Sequence, residues 1–327
     1  MSRVKLTRRA ALAGGLTIIA ARARAEDALS CRMDFAPWGV HAAFHLATVK
    51  GWFKDAGLAV DVQDGRGSGN TLQLVNAGQG DVGQIQVGLI PAAREKGATI
   101  KSFAGFGRRT DLAVIVDKDG PLQKVQDFRG KTVVVFAASP WAPFVDAWLT
   151  AGGLNKETVN VLFVDPSALW GTYTAGRADG LMSTLPSALP FADKTRASRG
   201  VMAEDAGIAF PSYGLVATEA TLRDKAPALK RLVAVQQHAW DYIRAGHIDE
   251  GVAAMQQQRP DARLDSKVTA QQIQLTIDYF DTPATKDKAL GYQAESDWRA
   301  ALVSLEKVGA IKPGTKTADV YTNDFIA

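Results

Sequence analysis

The chain has 327 residues, 38 Lys and Arg against 34 Asp and Glu, and 46% apolar residues. That length exceeds what one hydrophobic core usually supports, so two domains are expected. A single cysteine excludes an intramolecular disulfide framework, and stability has to come from packing.

The N-terminus carries Thr7-Arg8-Arg9, an apolar run from Ala10 to Ala21, and Ala23-Arg24-Ala25. A charged segment, a short apolar segment and a small-x-small site make an export signal, here of the twin-arginine kind, cleaved after Ala25. The run is about a dozen residues, whereas a membrane-spanning helix needs roughly 20. Ala28-Leu29-Ser30 is a poor lipidation site, so Cys31 reads as a buried thiol in a strand. Residues 1–25 hold six basic residues and no acid, so the mature chain has 32 bases against 34 acids, a balance of −2. The excess of base belongs to the signal, which excludes a nucleic-acid partner.

Strand and helix then alternate. Residues 29–34 and 58–63 read as strands around a helix from His41 to Phe53. A glycine-rich turn, Gly65-Arg66-Gly67-Ser68-Gly69-Asn70, leads to a helix over 71–78, a strand over 81–85 and a helix over 88–96 closed by Gly97. Asp119-Gly120-Pro121 marks a crossing into a second set. It comprises strands at 131–136, 159–164 and 180–183, and helices at 141–151, 169–175 and 189–197. Residues 212–217 form a return strand, followed by helices at 222–245, 251–258, 270–280 and 295–308. This pattern predicts an α/β protein of two lobes, each a mostly parallel sheet flanked by helices. Lobe 1 takes 26–118 and 213–327, lobe 2 takes 119–212, and two chain crossings form a hinge.

Three segments carry a family resemblance. They are Asp34-Phe35-Ala36-Pro37-Trp38-Gly39-Val40-His41 with Lys50-Gly51-Trp52-Phe53-Lys54-Asp55-Ala56-Gly57-Leu58, then Asp127-Phe128-Arg129-Gly130-Lys131, then Tyr321-Thr322-Asn323. From about residue 30 to 327 the chain resembles the solute-binding proteins for alkanesulfonates, taurine, nitrate and thiamine-pyrimidine precursors. The resemblance implies a type II periplasmic binding protein that captures a small molecule and passes it to the permease subunits of an ABC importer. It implies no cofactor and no catalysis; a receptor with one site can work as a monomer, and the sequence leaves monomer and dimer open. The opening and closing segments favour a pyrimidine-like nitrogen heterocycle. Gly180 to Ala188, where thiamine-precursor relatives often carry a glutamate, has no acid, so a sulfonate, nitrate or carboxylate remains the alternative. A rival class is the fungal pyrimidine synthase of this fold, which uses pyridoxal phosphate and carries a cysteine-rich stretch that this chain lacks.

Ligands of open α/β sheets bind beyond the carboxyl ends of strands. Four loops meet that condition. Trp38 and His41 offer stacking and a hydrogen bond, the alternative being a packed Trp and a capping His. Ser68, Gly69 and Asn70 offer amide groups at a helix start, or an ordinary cap. Gln84 and Gln86 end a strand, where amides orient a polar ligand or face solvent. Ser139 and Trp141 open a helix in lobe 2, with Thr184 and Tyr213 completing the wall. Trp170 reads as helix core more readily than as a ligand contact. Arg109, near the hinge, pairs with an acidic ligand or lies on the surface. His41 and His45 stand four apart, but without a third ligand zinc is not expected.

Overall fold

A computed structural model describes residues 26–326; the expected export signal lies outside the described residues. Two five-stranded sheets organise the chain, in the orders β2-β1-β3-β10-β4 and β7-β6-β8-β5-β9.

The first sheet contains β1 (Asp27–Arg32), β2 (Leu58–Gln63), β3 (Val82–Gln86), β4 (Ile100–Gly105) and β10 (Tyr213–Thr218). Its N-terminal helices are α1 (Ala42–Val49), α2 (Trp52–Asp55), α3 (Ser68–Asn76) and α4 (Ile90–Glu95). The second sheet contains β5 (Leu112–Asp117), β6 (Thr132–Val135), β7 (Asn160–Phe163), β8 (Gly180–Thr184) and β9 (Ser198–Met202). Helices α5 (Val145–Ala151), α6 (Leu169–Thr174) and α7 (Leu185–Asp193) flank it. After β10 the chain returns to the first lobe with α8 (Glu219–Asp224), α9 (Ala226–Arg244), α10 (Ile248–Gln258), α11 (Ser266–Ile277), α12 (Glu295–Lys307) and α13 (Thr317–Val320).

Each sheet has one antiparallel strand, placed second from an edge. β10 runs against β3 and β4, and β5 runs against β8 and β9. These two are the strands on which the chain lands after each crossing, β4 to β5 and β9 to β10. Leu112–Asp117 therefore belongs to the second sheet, although the turn at Asp119-Gly120-Pro121 suggested a crossing after it. The six residues are apolar up to Asp117 and almost wholly buried on both faces, which suits a central strand rather than a linker.

Other differences have local causes. The expected helix over 41–53 breaks at Gly51, whose φ of +76° ends α1 and restarts the chain as α2. The expected helix over 222–245 breaks at Lys225, because Pro227 has no N–H to give and sits in the first turn of α9. Helix α7 starts at Leu185, earlier than Leu189, with Pro186 in its first turn. Strands β4, β5 and β9 were not anticipated.

One apolar cluster crosses between the lobes on the hinge side. Phe210, in the second crossing, packs on Phe144 of lobe 2 at 5.0 Å and lies so near Gly88 of lobe 1 that a Cβ there would meet its ring at 2.1 Å. The C-terminal Tyr-Thr-Asn segment closes the outer edge of the first sheet. Thr322 donates its N–H to Ser102 O of β4 at 2.9 Å, and Asn323 brackets the backbone of Gln293. Covering an edge strand in this way removes an aggregation surface. Among the described residues, no helix is long and apolar enough to cross a membrane.

Candidate functional site

A narrow cavity of about 20 Å³ lies between the lobes. Lobe 1 contributes Asp34, Phe35, Trp38, Gly67, Ser68 and Tyr213, and lobe 2 contributes Phe136, Pro140, Leu169, Trp170, Ser183, Thr184 and Ser187. The first residues follow β1, so Asp34 stands beyond a strand's carboxyl end, where the fold places ligands.

Asp34 is the one ionisable carboxylate of this lining and is only 4% exposed. Its Oδ1 accepts from Trp38 Nε1 at 3.1 Å and from His41 Nε2 at 2.8 Å, and its Oδ2 accepts from the Tyr213 hydroxyl at 2.8 Å. His41 Nδ1 in turn accepts the Trp38 backbone N–H at 3.3 Å. With Nδ1 accepting, Nε2 is the donor, so a neutral imidazole satisfies every contact. Three donors offset the desolvation of a buried carboxylate, which unpaired is costly. They also fix the Trp38 ring, which meets Tyr213 edge-on with centroids 5.4 Å apart.

A second buried acid lies behind this wall. Asp111, at the first crossing, accepts from Gln86 Nε2 at 2.6 Å. Burial pushes its pKa up to about 8, the Gln86 hydrogen bond opposes that rise, and the charge of Asp34 adds to it. Burial, then the charges of Asp34 and Asp111, push the Tyr213 phenol well above its usual range. Nearby in the core, burial lowers the His45 pKa to about 3, helped by His41 and Arg259.

The glycine-rich loop is spent on structure. Gly65 N–H donates to Phe35 O, Gly67 N–H to Asp34 O, and Gly69 N–H to Ala138 O of lobe 2, at 3.0, 2.6 and 3.2 Å. These amides therefore hold the Asp34 loop and the opposite lobe instead of facing an anion. Gly67 has φ +127°, and a Cβ there would meet Ala138 O at 2.4 Å, so glycine alone allows this approach.

The structure gathers only part of the residue set expected from the sequence. Trp38, Ser68, Thr184 and Tyr213 line the cavity. His41, Gln84 and Gln86 are buried behind it: Gln84 Nε2 donates to Val40 O at 3.0 Å, and Gln86 serves Asp111. Trp141 lies outside, fully buried in lobe 2, its indole donating to Ala113 O and Ser183 O because a buried N–H needs a partner. Ser139 accepts the Trp141 N–H at 3.2 Å, while its neighbour Pro140 takes the lining position. Gly69 and Asn70 also lie outside the lining. Arg109 is on the surface, stacked over Tyr279 and directed at the Asp278 carbonyl. Trp170, expected in helix core, lines the cavity instead. Asp34 and Asp111 were missed. Asp34 sat in the resemblance motif beside Trp38, and an acid within an apolar-aromatic stretch was the signal. Asp111 had only its place next to an apolar strand.

This is the periplasmic binding protein fold: two α/β lobes, two crossings and a cavity between. The family profile described as NMT1/THI5 like matches residues 38–246, and the chain belongs to that family. A search of curated proteins gave no match. Among solved structures, a protein of Bordetella bronchiseptica RB50 is 21% identical, with TM-score 0.70, over 91% of this chain and 95% of that one. The alkanesulfonate-binding protein SsuA of Xanthomonas axonopodis pv. citri, bound to MOPS, is 14% identical, with TM-score 0.67, over 92% and 99%. The nitrate-binding protein NrtA of Synechocystis PCC 6803 is 14% identical, with TM-score 0.67, over 91% and 86%.

Two predictions follow from this geometry. Gly67→Ala destabilises the chain by more than about 1 kcal/mol, since alanine is strained at positive φ, and Gly69→Ala, inside α3, costs less than half as much; urea denaturation of both variants checks this. Asp111 has a folded pKa of about 8, above its unfolded value of 3.8, so its contribution to stability is present at low pH and declines as pH rises towards 8. His45, with its pKa depressed from 6.5, acts in the opposite sense and only below pH 6.5. Between pH 6.5 and 8 the parent therefore loses stability, and Asp111→Asn flattens the slope; urea midpoints across that window measure it, and an unchanged slope contradicts the assignment.

Proposed function

We propose that this chain is the exported solute-binding component of an ABC-type importer. It captures a small amine-bearing or cationic nitrogen heterocycle, of the pyrimidine class, between its lobes and delivers it as a monomer to a membrane permease. The observation that carries the ligand class is Asp34. It is a carboxylate set among Phe35, Trp38, Trp170 and Tyr213, and among the described residues no Lys or Arg lines the cavity.

An acceptor between aromatic rings suits a flat molecule that donates hydrogen bonds. The rings supply stacking and, for a cation, attraction to their faces. Ser68, Ser183, Thr184 and Ser187 add hydroxyl-bearing side chains that fix orientation. A ligand touching both lobes favours the closed state by its differential affinity, and closure presents the surface a permease reads. Export before cleavage at Ala25 places this capture in the periplasm.

Sulfonate or nitrate binding is the second reading, favoured by what SsuA and NrtA are named for. It meets a specific obstacle here: the glycine amides are already used, and the fixed charge in the lining is negative.

Thermal shift and calorimetry on residues 26–327, with aminopyrimidines, alkanesulfonates, nitrate and carboxylates, test the reading. Aminopyrimidines are expected to raise the melting midpoint by mass action. Asp34→Asn and Trp38→Ala are each expected to weaken the best of them at least tenfold, about 1.4 kcal/mol. Tight binding of an alkanesulfonate or nitrate, strengthened by Asp34→Asn, would replace this reading with the second one.

A further inference from the structure

Gln272 sits on α11 of lobe 1, only 7% exposed, with both ends of its amide engaged. Its Oε1 accepts the Gly39 N–H at 3.1 Å, and its Nε2 donates to Ser187 O, on α7 of lobe 2, at 2.8 Å. Gly39 follows Trp38, and Ser187 lines the cavity from the other lobe. One side chain thus holds the loop carrying the Trp38 wall and, simultaneously, a helix of the opposite lobe.

The fit is tight. A Cβ on residue 39 would stand 2.6 Å from Gln272 Cβ and from the Ile273 backbone nitrogen, so the loop is pressed against α11 at that point. The Gln272 backbone carbonyl accepts the Thr276 hydroxyl at 2.8 Å. A rigid amide of this kind gives one geometry for the contact, unlike a long charged side chain.

The neighbouring inter-lobe pair differs in character. Lys194 meets Asp265 at 2.5 Å, but the two side chains are 59% and 42% exposed, so solvent screens their attraction. Separation of the lobes returns both charges to water easily. It strands the Gln272 donor only until water reaches it, yet it also frees the amide that positions Gly39.

We propose that Gln272 is a positioning residue that latches the two lobes together and couples their closure to the placement of the Trp38 wall. The inference rests on the proposed reading of a cleft that opens and shuts over a solute. Its test needs no solute, so the latch and the ligand assignment fail separately.

The variants are Gln272→Met, which removes both hydrogen bonds at similar volume, and Gln272→Glu, which keeps the acceptor for Gly39 and loses the donor to Ser187. Lys194→Ala serves as the comparison. Small-angle X-ray scattering on residues 26–327, without added solute, reads lobe separation, and hydrogen exchange on the peptide containing Gly39 reads the loop. Melting curves verify that each variant is folded.

Both Gln272 variants are expected to show a larger radius of gyration than the parent, with Lys194→Ala unchanged. Exchange at Gly39 is expected to rise at least tenfold in Gln272→Met and less than threefold in Gln272→Glu. Folded Gln272 variants with the parent's radius overturn the latch. So does Lys194→Ala opening the chain as far as Gln272→Met, or equal Gly39 exchange in the two Gln272 variants.

Discussion

The site depends on one buried carboxylate and the three donors around it. Removing Asp34 from water is unfavourable, and Trp38, His41 and Tyr213 offset that cost by converging on its two oxygens. Those donors come from distant parts of the chain. Trp38 and His41 follow β1, whereas Tyr213 begins the strand on which the second crossing lands. The arrangement therefore forms only when the return strand has joined the first sheet, which links the chemistry of the cleft to the topology of the hinge. Tyr213 pairs with Gln86 in β3, and Gln86 holds Asp111 at the first crossing, so both crossings meet one polar network.

Much of the fold was legible because its signals are local. Leu58–Gln63 alternates and forms a strand with those same ends, and the glycine-rich turn precedes a helix as expected. Errors arose where a long-range fact overrides a local pattern. Leu112–Asp117, an apolar run that was not read as a strand, owes its place in the second sheet to pairing with β8 and β9. Loop residues were harder still. Trp141 and Trp38 look alike in sequence, each an aromatic beside a proline, yet one fills the core of lobe 2 and the other lines the cleft. Sequence spacing contains no information about which way an indole turns. The helix start at Gly67 to Asn70 likewise read either as an amide site for a ligand oxygen or as an ordinary cap, and the carbonyls of Asp34 and Ala138 occupy the Gly67 and Gly69 amides.

Membership of the NMT1/THI5-like family and the two-lobed architecture establish how such a chain is built, and fold likeness alone leaves the solute open. The chemistry of the lining then separates solute classes. An anion entering beside Asp34 meets a fixed negative charge in a water-poor setting, where Coulomb repulsion is much stronger than in bulk water. A donor or cation meets attraction at the same point and aromatic faces around it. The Tyr-Thr-Asn ending, part of the resemblance to thiamine-precursor binding proteins, lies outside the cavity lining and covers an edge strand. Its likeness is therefore one of architecture, and the argument for a nitrogen heterocycle rests on the cleft.

The most direct measurement is a crystal structure of residues 26–327 with the tightest-binding solute in place. The account predicts a nitrogen donor of that solute within hydrogen-bond distance of an Asp34 oxygen, its plane against Trp38 or Trp170. A bound anion whose oxygens lie on the Ser68 or Thr184 hydroxyls, with Asp34 turned away, would contradict it.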